Sequence, residues 1–124
     1  MNRCVITAAL ALGCALPAWA QRIFPPDALR GRIAITAPPN VLLNGDPARL
    51  SPGSRIYGAN NLIQLPGTLL GQQFVVDYTI DIGGQIGRVW ILTDAEAAVS
   101  PWPSTPQEAR GWRYDGATGR WTQP

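Results

Sequence analysis

Two aspartates, Asp77 and Asp81, are the carboxylates whose spacing can be tested from the sequence for general acid–base chemistry. They fall on one face of a predicted strand, four residues apart, which corresponds to about 13 Å at roughly 3.3 Å per residue. Glycosidases hold their two carboxyl groups about 5–9.5 Å apart, so these two do not form such a pair. We expect both to lie on a solvated face and to pair with Arg88.

The residue types that are absent exclude several other reactions. The sequence has no His, all ten basic residues are Arg, and both cysteines, Cys4 and Cys14, precede residue 21. From residue 21 onward, Ser-His-Asp and Cys-His catalysis and the usual zinc sites are therefore excluded. Schiff-base and P-loop lysine chemistry are excluded as well, and no loop has the spaced acidic ligands of a calcium site. We expect a protein that is not an enzyme and that holds no metal or cofactor.

Aromatic and arginine side chains concentrate near the C-terminus. Most of the tryptophans follow residue 100, where they alternate with arginines. Such rings suit sugar faces, protein interfaces and peptide grooves, and arginine stacks on them. The alternative, which we favour, is that the rings cover an open face of a small β domain. The candidate partner-binding residues are Trp90, Trp112, Arg113, Tyr114, Arg120 and Trp121.

Residues 1–20 have the features of a cleavable secretory signal peptide. An apolar run of about a dozen residues leads to Ala18-Trp19-Ala20, so we expect cleavage between Ala20 and Gln21. The run is shorter than the roughly 20 residues that cross a bilayer, and no transmembrane segment is expected after cleavage. Lipidation at Cys14 is a minor alternative.

Residues 21–124 have the length of one ordinary domain, and a hydrophobic core must stabilise it because it lacks cysteine. Nine arginines against eight carboxylates leave this part of the chain close to neutral. A near-neutral chain without a basic run is a poor candidate for binding nucleic acid.

The segment 73–93 is the clearest structural element and is predicted to form a β-hairpin. Its first half alternates apolar and polar residues, which is typical of a half-buried strand. Gly83-Gly84 is expected to form a two-residue turn. That turn sets the cross-strand pairs Tyr78 with Val89, Val76 with Ile91, Asp77 with Trp90, and Thr79 with Arg88. The outer face is then mixed in polarity and requires either a covering layer or a ligand.

Turn residues recur about every ten residues before this hairpin, as at Asn44-Gly45, Ser51-Pro52-Gly53 and Pro66-Gly67. This spacing predicts a small, mainly β domain over residues 21–99, built as an antiparallel barrel or sandwich. One or two short helical turns follow, the first capped by Thr93.

Residues 100–124 are predicted to form a proline-rich linker and an aromatic, arginine-rich tail. Thr105-Pro106-Gln107-Glu108 is a capping box with proline at the first helical position, so a helical turn is expected there. The remaining tail predicts a small aromatic hairpin, loosely attached, that either docks on the domain or stays mobile.

The stretches Pro39–Gly53, Asn60-Asn61 and Gly87–Thr93 resemble a group of short, exported proteobacterial proteins whose function is uncharacterised. The resemblance covers roughly residues 30–98 and leaves the tail outside. It implies a cell-envelope setting and a small β domain, and it carries no activity or site residues to transfer. We expect an exported protein located in the periplasm.

Three functions are consistent with the sequence. The first is a non-catalytic periplasmic β module that binds an envelope protein or glycan through the Trp90 face or the tail. The second is a hydrolase whose carboxylate pair, drawn from residues such as Asp46, Asp77 and Asp81, is brought together only by the fold. The third is a purely structural role.

Overall fold

A computed structural model of the protein describes residues 22–124. The expected signal peptide, its cleavage site at Ala20–Gln21 and the alternative lipidation site Cys14 lie outside the described residues. Within residues 22–124, no helix is both long enough and apolar enough to span a membrane.

Eight strands make up most of the regular structure in this part of the chain. They are β1 (Leu29–Ala37), β2 (Asn40–Leu43), β3 (Asp46–Tyr57), β4 (Ile63–Gln64), β5 (Gln73–Ile80), β6 (Ile86–Ile91), β7 (Arg113–Asp115) and β8 (Arg120–Thr122). Strands β1, β2, β3, β6 and β5 pair in that order, and β5 pairs with β1 to close a five-stranded barrel. β4 adds a short edge to β3, and β7 and β8 form a separate hairpin. The expected mainly β barrel is confirmed.

One pair in the barrel departs from the antiparallel pattern. β3 and β6 run parallel, with Arg55 beside Arg88, Ile56 beside Val89 and Tyr57 beside Trp90. A parallel pair needs a crossover, which β4, a 3₁₀ turn at Pro66–Leu69 and β5 supply. A small closed β-barrel is an architecture that hosts many functions, so the fold by itself assigns none.

The barrel interior is a continuous aliphatic core. Alternate residues of each strand point inward, and the best buried are Ile33, Ile35, Val41, Leu50, Ile56, Val76, Ile86 and Val89. The apolar face predicted for β5 follows this rule at Val76 and Tyr78, but Ile80 and Ile82 are exposed. Those two residues lie at the turn end of the hairpin. The apolar–polar alternation of the sequence continues there, but the hairpin extends beyond the barrel core, so their side chains lie outside the packed interior.

The β5–β6 hairpin has the predicted register but a different turn. Tyr78 pairs with Val89, Val76 with Ile91 and Asp77 with Trp90, as predicted. The two-residue turn is wrong, because Asp81 N–H donates to the Gln85 carbonyl across a three-residue loop that places Gly84 at φ +81°. A bulge absorbs the extra residue, since Gly87 and Arg88 together lie opposite Thr79.

Two short helices follow the barrel at the predicted places. α1 (Asp94–Ala97) begins at Thr93, which forms a full capping box with Glu96. α2 (Pro106–Gly111) begins at Thr105, whose hydroxyl accepts a hydrogen bond from Glu108 N–H at 3.1 Å. The Glu108 carboxylate accepts from Ser104 N–H rather than from Thr105, so the second half of the predicted box is shifted by one residue.

A second layer covers the outer face of β5 and β6. It consists of residues 22–28, α1, the segment 99–105 and the β7–β8 hairpin, and it buries Phe24, Ala28, Trp90, Trp102 and Trp121 in one cluster. The segment expected to be a linker carries buried Trp102 and Pro103, and the Pro103 carbonyl accepts from Arg30 N–H at 2.8 Å. The hairpin is attached more closely than expected, because Trp121 is only 6% exposed.

Candidate functional site

Asp77 lies on the outer face of β5, where it is completely buried beneath the second layer. The Nε of Arg30, its direct partner on β1, donates to the Asp77 Oδ1 at 2.8 Å. The expected pairing with Arg88 on a solvated face is therefore wrong for Asp77, because the covering layer excludes water and Arg30 supplies the counter-charge. Burial raises the pKa of Asp77 above 3.8, and the hydrogen bond and charge of Arg30 oppose that rise.

Asp81 has a separate environment at the exposed end of the same strand. Its Oδ1 accepts from Gln85 N–H at 2.9 Å, so the carboxylate stabilises the hairpin turn. No ion pair within residues 22–124 joins Asp81 to Arg88, which corrects the second half of that expectation. Asp77 and Asp81 do not face a common cleft.

A second buried ion pair joins the start of the described chain to α1. The guanidinium of Arg22 donates to both carboxylate oxygens of Glu96 and also to the carbonyls of Gly58 and Ile91. Burial raises the pKa of Glu96. The hydrogen bonds from Arg22 and Thr93 together lower it by more than burial raises it, so the pKa falls below 4.5. This arginine connects the N-terminal segment, the end of β6 and α1.

The aromatic cluster fills the space between these two arginines. Phe24 contacts Trp90 at 5.6 Å and Trp102 at 6.1 Å between ring centroids, and Trp102 contacts Trp121 at 6.2 Å. Arg22 lies over Phe24 and Arg30 over Trp102, at 5.4 and 4.8 Å from the ring centroids. The rings and guanidinium groups are thus packed together in one layer.

A cleft opens at the edge of this layer, between the N-terminal segment, α1 and the β7–β8 turn. The residues lining it that carry charge or a ring are Arg22, Phe24, Arg30, Glu96, Trp102 and Arg120. Its volume is about 70 Å³, well above the roughly 10–15 Å³ that one water requires. Arg22 and Arg30 are paired with Glu96 and Asp77, so Arg120 leaves the lining with one net positive charge, which favours an anionic group.

Arg120 is the one cleft arginine that neither buried ion pair occupies. Its cross-strand partner is Asp115, whose Oδ1 instead accepts from Ala117 N–H at 2.9 Å in the β7–β8 turn. Arg120 is exposed, and within residues 22–124 no carboxylate lies within ion-pair distance of it. Its donors are available to a ligand.

The candidate binding residues from the sequence divide into three groups by burial. Trp90 and Trp121 are buried in the cluster, so neither presents a ring to solvent. Trp112 and Tyr114 are half-buried, and the Tyr114 hydroxyl donates to the Phe24 carbonyl at 3.2 Å. Arg113 and Arg120 are exposed; Arg120 lines the cleft, whereas Arg113 lies with Trp112 beside the C-terminal residues.

Sequence reasoning missed the largely buried arginines Arg22 and Arg30, and it missed Glu96, the partner of Arg22. The Thr93–Glu96 spacing of a capping box could have revealed the position of Glu96. No local signal could have revealed Arg30, since its carboxylate partner lies 47 residues away in the sequence.

The Trp121 indole N–H is buried without a hydrogen-bond partner among the groups of residues 22–124. A buried unpaired donor costs about 1–3 kcal/mol. The ring nevertheless packs on Trp102 and Tyr114, so apolar contact holds the hairpin in place together with the Tyr114 hydrogen bond to the Phe24 carbonyl.

Comparisons of the chain with protein-family models, with curated proteins and with solved structures give no significant match. The functional argument therefore depends on the geometry of the cleft.

Proposed function

We propose that the protein is a non-catalytic binding module of the cell envelope, located in the periplasm, that binds an envelope protein or glycan. The partner contributes an acidic group, which enters the cleft and pairs with Arg120. The observation that carries this proposal is that Arg120, exposed and without an ion-pair partner among residues 22–124, lines a cleft together with Arg22, Arg30 and Trp102.

The chemistry of the cleft favours a carboxylate. One free guanidinium offers a planar fork of donors, and that fork matches the two oxygens of a carboxylate. Trp102 and Phe24 provide apolar walls, against which the carbon skeleton of an acidic sugar or of a peptide C-terminus packs. The small volume admits the acidic group and leaves the rest of the partner outside.

The carboxylate-pair hydrolase draws no support from this arrangement. Glu96 is the one carboxylate in the cleft lining, and both of its oxygens are held by Arg22. The general acid–base pair of a glycosidase requires two carboxyl groups about 5–9.5 Å apart across the substrate.

The test compares Arg120→Gln with the wild type in binding to two defined acidic probes. The probes are a hexapeptide with a free C-terminal carboxylate and a glucuronate-containing oligosaccharide, each measured by calorimetry beside its neutral form (the amidated peptide or the methyl ester). We expect one acidic probe to bind, its neutral form to bind at least tenfold more weakly, and Arg120→Gln to lose about tenfold in affinity.

Arg113→Gln is the matched control, since Arg113 is also an exposed arginine of the hairpin but does not line the cleft. Equal binding of acidic and neutral probes, or unchanged affinity in Arg120→Gln, would overturn the proposal. Failure of both probes to bind the wild type would favour the purely structural role.

A further inference from the structure

Two arginines lie side by side on the outer surface of the barrel, apart from the cleft. Arg55 on β3 and Arg88 on β6 are direct neighbours in the parallel pair. The next pair along, Ile56 and Val89, is buried in the barrel. Because successive strand residues point to opposite faces, Arg55 and Arg88 both point outward, and both are exposed.

Adjacent like charges on neighbouring strands destabilise a sheet. The two ion pairs within residues 22–124 use Arg22 and Arg30, so neither Arg55 nor Arg88 has a carboxylate within 4.0 Å among these residues. Asp81, the partner expected for Arg88, is engaged by Gln85 N–H. Among the described residues the pair is therefore a double positive charge that no ion pair compensates.

Arg88 is held in position by its surroundings. Its guanidinium lies 5.2 Å from the centroid of the Trp90 ring, and its backbone N–H donates to the Thr79 hydroxyl at 3.1 Å. Trp90 is in turn stacked on Tyr57 at 6.0 Å with 14° between the rings. A guanidinium on a fixed aromatic platform loses less conformational entropy when it binds a ligand than a free surface arginine does.

We propose that Arg55 and Arg88 form a binding site for a tetrahedral oxyanion of the phosphate or sulfate type. One arginine fork pairs with both oxygens of a planar carboxylate, whereas a tetrahedral oxyanion presents further oxygens on other edges to a second fork. Its double charge also balances two guanidinium groups. The site thus differs in ligand geometry from the cleft at Arg120.

The test is a titration of the chain from residue 21 onward, the expected mature form, followed by ¹⁵N NMR at constant ionic strength. The probes are inorganic phosphate, inorganic sulfate and, as the planar control, acetate. We expect phosphate or sulfate to produce saturable shifts of the Arg88 Nε–Hε and Trp90 indole signals, and acetate to produce none at these positions.

Arg55→Gln and Arg88→Gln are each expected to bind the oxyanion about tenfold more weakly than the wild type. Arg110→Gln, at an exposed arginine of α2, is the matched control and retains wild-type affinity. Arg120→Gln also retains it, so this result is independent of the function proposed for the cleft.

Thermal unfolding gives a second measurement on the same variants. Arg55→Gln removes one of two adjacent like charges and leaves the ligand-free protein as stable as the wild type or slightly more stable, while both variants lose the stabilisation by added oxyanion. Wild-type affinity in both Arg55→Gln and Arg88→Gln, equal shifts with acetate, or loss of binding in Arg120→Gln would overturn the proposal.

Discussion

Arg30 on β1 and Asp77 on β5 lie directly opposite each other, joined by a 2.8 Å hydrogen bond between Nε and Oδ1. The same guanidinium donates to the Val99 carbonyl at 2.7 Å and lies 4.8 Å from the centroid of the Trp102 ring. One side chain thus connects the barrel to the end of α1 and to the aromatic cluster. The carboxylate beneath it is wholly buried, so the pair stabilises the second layer only while both partners are present.

The first prediction concerns this ion pair. Arg30→Met should lower the free energy of unfolding by about 3–5 kcal/mol, because it leaves Asp77 buried without a counter-charge. The double variant Arg30→Met/Asp77→Leu should recover most of that loss, since it removes both charges. Urea unfolding measures both variants, with Asp81→Asn as the exposed control expected within about 0.5 kcal/mol of the wild type. A single variant as stable as the wild type would contradict the role of Arg30.

The second prediction concerns pH and Glu96. Its pKa is lowered in the folded protein, so the stability that its charge contributes is present above 4.5 and is lost as the pH falls below that value. Glu96→Gln keeps an acceptor for the capping box but cannot titrate. We expect the difference in free energy of unfolding between the wild type and Glu96→Gln to narrow as the pH falls below 4.5.

The pH dependence of stability that Asp77 contributes has the opposite sign. The free energy of unfolding of the wild type must therefore be compared with that of Glu96→Gln at each pH. Its raised pKa means that stability is lost as the pH rises from 3.8 through the folded value. Most of this contribution is common to the wild type and to Glu96→Gln and cancels in the difference, although the charge of Glu96 itself adds to the rise in the pKa of Asp77. A difference in free energy of unfolding between the wild type and Glu96→Gln that stays constant across the acid range would show that folding does not lower the pKa of Glu96.

The third prediction concerns the attachment of the C-terminal hairpin. Trp121→Ala should cost about 3–5 kcal/mol, because it removes a large buried ring that packs on Trp102. Trp121→Phe should cost no more than about 1.5 kcal/mol, since it keeps much of the ring and removes the unpaired indole N–H. Chemical denaturation followed by tryptophan fluorescence measures both. Equal losses in the two variants would indicate that the indole N–H is satisfied by a group outside residues 22–124 or by water.

The fourth prediction concerns the start of α1. Thr93→Ala should cost about 1 kcal/mol, because the hydroxyl accepts from Glu96 N–H at 3.1 Å and no other group replaces it. Thr93→Ser should restore most of the loss, and Thr122→Ala, at an exposed strand position, should have little effect. Urea unfolding separates these three variants, and a neutral Thr93→Ala would argue against the capping box.

Local features were predictable wherever neighbouring residues determine them. The hairpin register at Tyr78–Val89 follows from the alternation of the two strands, and it survived a turn that is one residue longer than expected because a bulge opposite Thr79 compensates. The caps at Thr93 and Thr105 follow from hydrogen bonds that span three residues. The candidate site was harder to predict from the sequence, because the burial of Trp90 and Trp121 depends on whether the C-terminal part of the chain folds back over the barrel.

By itself, the sequence determined that a cysteine-free β domain without histidine or lysine follows residue 20, and it located the helical caps and the main hairpin. Those properties depend on composition and on contacts between residues a few positions apart. Only the tertiary structure decided that Asp77 pairs with Arg30, that Arg88 lies beside Arg55, and that Arg120 faces a cleft. Closing the barrel and docking the tail bring together residues that are distant in the chain. A charge that becomes buried, such as that of Asp77, must be paired, whereas an exposed charge such as that of Arg120 stays available to a ligand.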